Sequence, residues 1–164
     1  MGNIPSDAIK LSWQEAYDLT CQLSQKIQNS GQIFDAILVI PRGSYYPVNI
    51  IARDLGFTAE RLIHACVTSY VLGTSERKTE FQTGQMPSQK DVEGKNILII
   101  DEMCDTGETL KFITEWLNKT GAKSIKTGVL HLKPSANITG FKPDWYVAET
   151  DKWIIYPWEI HENK

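Results

Sequence analysis

Cysteine is scarce in this chain. Cys21, Cys66 and Cys104 are widely spaced, and no Cys-x-x-Cys pair occurs. Such an odd, scattered set neither frames a disulfide scaffold nor makes a zinc site, and it fits buried free thiols in a reducing compartment. Basic runs are missing as well. The 17 Lys plus Arg stand against 20 Asp plus Glu, a net charge of -3, which makes a poor general binder of nucleic acid. The aliphatic stretches, such as Ile97-Leu98-Ile99-Ile100, fall far short of the ~20 residues that a membrane span needs. The opening Met-Gly-Asn-Ile-Pro-Ser-Asp has no basic segment followed by an apolar core. We therefore expect no secretory leader, no membrane association and a cytoplasmic location. Gly2 with Ser6 matches the short myristoylation pattern. No basic patch stands beside it, and one acyl chain anchors only marginally. Gly-x-Gly-x-x-Gly, Walker A, internal repeats and low-complexity tracts are all absent.

What is present suits one domain over residues 1–164. The chain is 41% hydrophobic and 23% charged, too apolar for disorder and long enough to bury a core without staples. Ser12 with Glu15 forms a capping-box pattern, and Trp13, Ala16, Tyr17, Thr20, Leu23 and Ile27 then share one helical face, with Gly31 as a stop. Residues 36–40 are continuously apolar, as in a strand buried on both faces. A loop over 41–46 precedes Pro47, which fits the first turn of a short helix ending near Gly56. Residues 62–67 read as one strand. Residues 72–91 are polar and without periodicity, which suggests a lid or disorder. Asn96 to Asp101 reads as a second buried strand. Leu110, Ile113 and Leu117 line one face of a helix over 109–118 that Gly121 closes. Two further strands are expected at Ser124–Leu132 and Trp145–Glu149. Strands alternating with helices argue for an α/β fold with a mainly parallel sheet flanked by helices.

The informative segment is Ile97-Leu98-Ile99-Ile100-Asp101-Glu102-Met103-Cys104-Asp105-Thr106-Gly107-Glu108-Thr109-Leu110. A buried strand runs into two acids, two apolar residues, Asp-Thr-Gly-x-Thr and a helix. Ligands of open parallel sheets bind at the carboxyl ends of strands. Backbone N–H groups at the helix start suit a phosphate, Gly107 permits close approach, and the hydroxyls of Thr106 and Thr109 add donors. Asp101 and Glu102 suit ribose hydroxyls and a divalent metal. The segment could therefore hold a sugar phosphate. Acids after a strand are often only solvated loop residues, but five polar residues in this order exceed that reading. Asp105-Thr106-Gly107 is also the aspartic-protease signature, yet Glu108 follows it, no second copy exists and the strand-helix context differs.

The segment resembles the phosphoribosyl-diphosphate signature of type I phosphoribosyltransferases, and other segments agree in order. Ile40-Pro41-Arg42-Gly43-Ser44 resembles that family's diphosphate loop. Ser69-Tyr70 resembles the Ser-Tyr pair at the start of the lid of its 6-oxopurine members. Lys133-Pro134, Asp151-Lys152-Trp153-Ile154 and Pro157-Trp158-Glu159 resemble the purine pocket of the xanthine–guanine and hypoxanthine–guanine enzymes. The likeness covers roughly residues 35–160 and is nearest to the short bacterial and archaeal type.

The resemblance implies a Rossmann-like fold with a flexible lid at about 72–91 and a small hood from both terminal segments. It implies Mg²⁺-dependent transfer of phosphoribosyl from phosphoribosyl diphosphate to a 6-oxopurine: guanine, xanthine or hypoxanthine. In that reading Arg42 and Gly43 hold diphosphate, and Asp101 and Glu102 hold the ribose hydroxyls and the metal. The loop Asp105, Thr106, Gly107, Glu108, Thr109 holds the 5′-phosphate, and Asp105 handles the proton at purine N7. Lys133 offers donors only, so at position 6 it favours an oxo over an amino group. Trp153 stacks on the base, while Ile154 and Glu159 lie near position 2. Family members form homodimers or homotetramers. Two positions depart from the family's pattern: Ser44 replaces a second glycine, and Glu108 brings a carboxylate into the phosphate loop. A sensor of phosphoribosyl diphosphate on the same fold and a transferase for another base stand as alternatives.

Overall fold

The computed structural model describes residues 4–70 and 77–159, with side chains given outside 68–82. The chain runs β1 (Ile9–Lys10), α1 (Trp13–Asn29), β2 (Ala36–Val39), α2 (Tyr45–Asp54), β3 (Leu62–His64), β4 (Val67–Tyr70), β5 (Arg77–Thr83), α3 (Gln89–Val92), β6 (Asn96–Cys104), α4 (Glu108–Lys119), β7 (Ser124–Leu132), β8 (Trp145–Glu149) and β9 (Ile154–Ile155). Five strands form the central sheet in the order β3-β2-β6-β7-β8. Every neighbouring pair is parallel.

The side-chain alternation of the strands explains why helices lie on both faces. Ile37, Val39, Leu98 and Ile100 point to one side, where Leu23 and Ile27 of α1 and Val48 and Ile51 of α2 cover them. Ala36, Leu38, Ile97 and Ile99 point to the other, against Leu110, Ile113 and Leu117 of α4. Burying each such Ile or Leu contributes roughly 1.5–3 kcal/mol. Helix α1 opens with the expected capping box between Ser12 and Glu15.

Chain direction decides where a ligand can bind. From β2 the chain first adds β3 on one edge, then returns to add β6 on the other. The switch lies between β2 and β6, and the crevice outside their carboxyl ends is the ligand position of such sheets. The loop after β2 and the acids at the end of β6 meet there.

Four expectations need correction. Residues 62–67 are not one strand. The chain breaks at Ala65 and Cys66, so β3 joins the central sheet while β4 leaves it to pair antiparallel with β5. Residues 77–83 and 89–92 are a strand and a short helix where the sequence suggests a loop. Trp13 and Tyr17 are half-exposed on α1, although they share its apolar stripe. Of the three free thiols only Cys104 is buried. A separate two-stranded sheet pairs β1 with β9, joining the two ends of the described chain. Among the described residues no helix is long and apolar enough to cross a membrane.

Candidate active site

The loop after β2 is closed by its own serine. Ser44 is fully buried, and its hydroxyl accepts from Ile40 N–H at 2.8 Å and donates to Ile40 C=O at 2.6 Å. Ser44 thus replaces the flexibility of a second glycine with a tied turn. The Pro41–Arg42 peptide is cis. Arg42 is exposed at the loop's crest. Gly43 packs directly against the carboxylate of Glu102, and a Cβ there would overlap it.

Strand β6 extends to Cys104, so Asp101 and Glu102 lie within the strand rather than after it. Asp101 Oδ1 accepts from Glu102 N–H at 2.9 Å. Burial pushes the Asp101 carboxyl well above the usual carboxylate range, and the neighbouring Glu102 carboxyl adds to that through its charge and a shared hydrogen bond. Glu102 Oε2 is buried with no hydrogen-bond partner. Two adjacent carboxyls in this setting require a proton or a cation between them. Burial, followed by the charges of Asp101 and Asp105, pushes the Cys104 thiol up to about 12.

Helix α4 begins after Gly107, whose φ of 81° is in the left-handed region. A Cβ there would strike Thr139 and approach Asn137 and Phe141. The segment 137–141 closes over the loop, with Thr139 Oγ1 donating to Thr106 C=O at 3.0 Å. Asn137 and Thr139 carry no motif, so the sequence reading missed them. Thr106 Oγ1 donates to the Glu108 carboxylate at 2.9 Å. Glu108 is therefore turned back along the loop.

Strands β7 and β9 bring the expected base-binding residues together. Lys133 N–H donates to Cys104 C=O at 2.9 Å, which holds the end of β7 beside the end of β6. Lys133 is 8% exposed, an unusual burial for lysine. Its Nζ lies 5.6 Å from the centroid of the Trp153 ring, within cation–π range. Trp153 is about half-exposed at 47%. The carbonyls of Trp153 and Ile155 accept from Ile9 and Leu11 of the β1 segment. Alternation turns the N–H and C=O of Ile154 to the opposite edge of β9. Glu159 Oε2 accepts from Tyr156 N–H at 3.1 Å. The side chains of Ser69 and Tyr70 lie outside the described residues.

One group of partners carries no sequence signal. Tyr156 is fully buried and stacks on Trp158, which stacks on Tyr46. Its hydroxyl donates to Glu102 C=O at 2.9 Å and lies 2.8 Å from His131 Nδ1. A hydroxyl has one proton, so His131 must donate, which makes it the Nδ1–H tautomer. Burial and then the Lys133 charge push His131 down to about 4. Burial, and then the charges of Glu102, Asp101 and Glu159, hold Tyr156 well above the usual phenol range.

The family model of the phosphoribosyl transferase domain matches residues 10–163. The chain belongs to the phosphoribosyltransferase family. Its similarity extends to the xanthine-guanine phosphoribosyltransferase of Idiomarina loihiensis, 30% identical over 158 residues and covering 92% of this chain and 86% of that one. The solved purine phosphoribosyltransferase of Pyrococcus horikoshii superposes with a TM-score of 0.73 at 28% identity, over 93% of this chain and 94% of its own. The Helicobacter pylori xanthine-guanine-hypoxanthine phosphoribosyltransferase shares the fold, with a TM-score of 0.77 at 18% identity over 95% and 96% of the two chains.

Proposed function

We propose that this phosphoribosyltransferase acts in purine salvage, moving the 5-phosphoribosyl group of phosphoribosyl diphosphate to a 6-oxopurine. The C1–oxygen bond to diphosphate breaks, a bond from C1 to a purine nitrogen forms, and that base gives up a proton. The observation that carries the choice of base is the buried Lys133 ammonium beside the half-exposed Trp153 ring. Such a lysine can only donate, so it favours an oxo group at position 6, while the indole offers a stacking face. Names of similar proteins, xanthine-guanine and purine phosphoribosyltransferases, point the same way.

The remaining roles belong to the same proposal. Arg42 and the Gly43 backbone hold the departing diphosphate, and charge that develops there is met by a preset donor. The N–H groups from Asp105 to Thr109 receive the 5′-phosphate at the start of α4. Asp105 takes or returns the proton at N7. The outward N–H and C=O of Ile154, with Glu159 near, meet position 2 of the base. The lid expected at about 72–91 falls partly outside the described residues, and Ser69 and Tyr70 at its start stay in that proposal as groups that would help exclude water.

Magnesium at the acid pair is part of this proposal, supported by Glu102 Oε2, a buried carboxylate oxygen without a hydrogen-bond partner beside a second acid. Asp101 and Glu102 would hold the ion together with substrate oxygens, as magnesium sites on phosphate substrates do. When bound it neutralises charge on the diphosphate. We further propose a cytoplasmic homodimer or homotetramer.

Asp105→Asn tests the reading. Loss of turnover with melting temperature and phosphoribosyl diphosphate binding retained supports it. Full activity in that variant contradicts the proton-handling role.

A further inference from the structure

Three strands carry the proposed functional groups, and one hydrogen-bonded line ties them together. Strand β6 carries the acids, Lys133 directly follows β7, and the segment 153–159 around β9 carries Trp153, Ile154 and Glu159. His131 of β7 donates to Tyr156 of the β9 segment, which donates to the main-chain carbonyl of Glu102 in β6. These partners are 25 and 54 residues apart in sequence. Tyr156 is also gripped along its backbone, because Glu159 both accepts from its N–H and donates to its C=O. Its ring is parallel to that of Trp158, with 4.8 Å between centroids and 10° between planes. The line therefore connects the segment 153–159 to the main chain of Glu102, whose carboxylate abuts Gly43 of the loop after β2.

We propose that Tyr156, oriented by His131, is a positioning residue that couples the base-binding segment to the acid pair, so that base and phosphoribosyl diphosphate strengthen each other's binding. This rests on the functional reading above. Tyr156 touches neither substrate in that reading; it acts by setting Glu102. The coupling is reciprocal by thermodynamic linkage, so either ligand can report it.

The experiment measures the dissociation constant of phosphoribosyl diphosphate with Mg²⁺ by calorimetry, alone and with saturating 9-deazaguanine. That base has carbon in place of the reacting nitrogen and cannot turn over. The wild type should bind phosphoribosyl diphosphate about tenfold more tightly with the base present, and Tyr156→Phe should reduce that ratio to less than about twofold. Because Tyr156→Phe leaves a buried imidazole N–H unpaired, Tyr156→Phe/His131→Leu serves as the variant free of that penalty and should show the same loss. A ratio unchanged in both variants overturns the inference, including the case where the single affinities and melting temperature fall together. A wild type that binds both ligands without coupling overturns it too. A wild type that binds neither ligand overturns the functional reading, and this inference with it.

Discussion

The backbone of Gly43 lies directly against the carboxylate of Glu102, so the loop after β2 and the acids of β6 share one space. No side chain fits between them. Gly43→Ala must therefore displace Glu102 or the loop itself. We expect kcat/KM to fall by about 100-fold, the scale of a misplacement near 1 Å. In a Glu102→Gly background the same change should add little, because the obstructing carboxylate is gone. Additive losses in a double-mutant cycle would contradict this contact as the cause.

Lys133 and Trp153 make separable contributions. Trp153→Ala should raise KM for the base by roughly 5- to 150-fold, matching ~1–3 kcal/mol of stacking, with KM for phosphoribosyl diphosphate little changed. Lys133→Gln introduces an acceptor and should weaken discrimination against adenine. Steady-state kinetics with hypoxanthine and adenine measure both effects.

Asp101 should oppose stability at neutral pH. Its carboxyl is raised in the folded chain, chiefly by burial. A raised group contributes stability fully present below its unfolded pKa, near 3.8, and lost as pH rises toward its folded value. Asp101→Asn should therefore melt higher than the wild type at pH 7, converge with it below about pH 4, and lose activity. Thermal melts across pH 3.5–8 read this directly. An equal or lower melting temperature at pH 7 would contradict it.

His131 gives the opposite slope. Its folded pKa is lowered from 6.5 to about 4. Its contribution is present above 6.5 and is lost as pH falls through that window, up to ~3 kcal/mol in all. His131→Gln should flatten the acid limb of chemical denaturation between about pH 6.5 and 4.

Glu108 places a carboxylate in the loop proposed for the 5′-phosphate, where it accepts from Thr106. Glu108→Gln should lower KM for phosphoribosyl diphosphate by about fivefold, equivalent to ~1 kcal/mol of repulsion. The gain should shrink as salt rises. Initial rates at two ionic strengths check it.

Much of the central sheet is legible in the sequence. Continuous apolar runs mark β2 and the start of β6, strand-like composition marks β7 and β8, and Leu110, Ile113 and Leu117 mark α4. Strands β1, β4, β5 and β9 are not legible, and the two-residue β1 and β9 are too short to carry a pattern. Apolar composition over 62–67 cannot tell one strand from two that serve different sheets. Arg77–Thr83 has weak alternation of its own, and its strand is defined by pairing with β4. Trp13 belongs to the helical stripe, but its ring lies toward Tyr46 and Trp158 rather than into the core.

In the site, residues that the family resemblance singles out lie near one another: Gly43 against Glu102, and Lys133 beside Trp153. What spacing cannot show is partnership across the fold. His131 and Tyr156 look like ordinary strand and loop residues until the sheet places them beside Glu102. The same holds for Asn137 and Thr139 over Gly107.

Diphosphate release with Mg²⁺ and phosphoribosyl diphosphate, measured separately with guanine, xanthine, hypoxanthine, adenine and uracil, decides whether the chain is a 6-oxopurine phosphoribosyltransferase. Turnover is expected with at least one of the three 6-oxopurines and none with adenine or uracil. Release driven by adenine or uracil, or silence with all five bases, would contradict it.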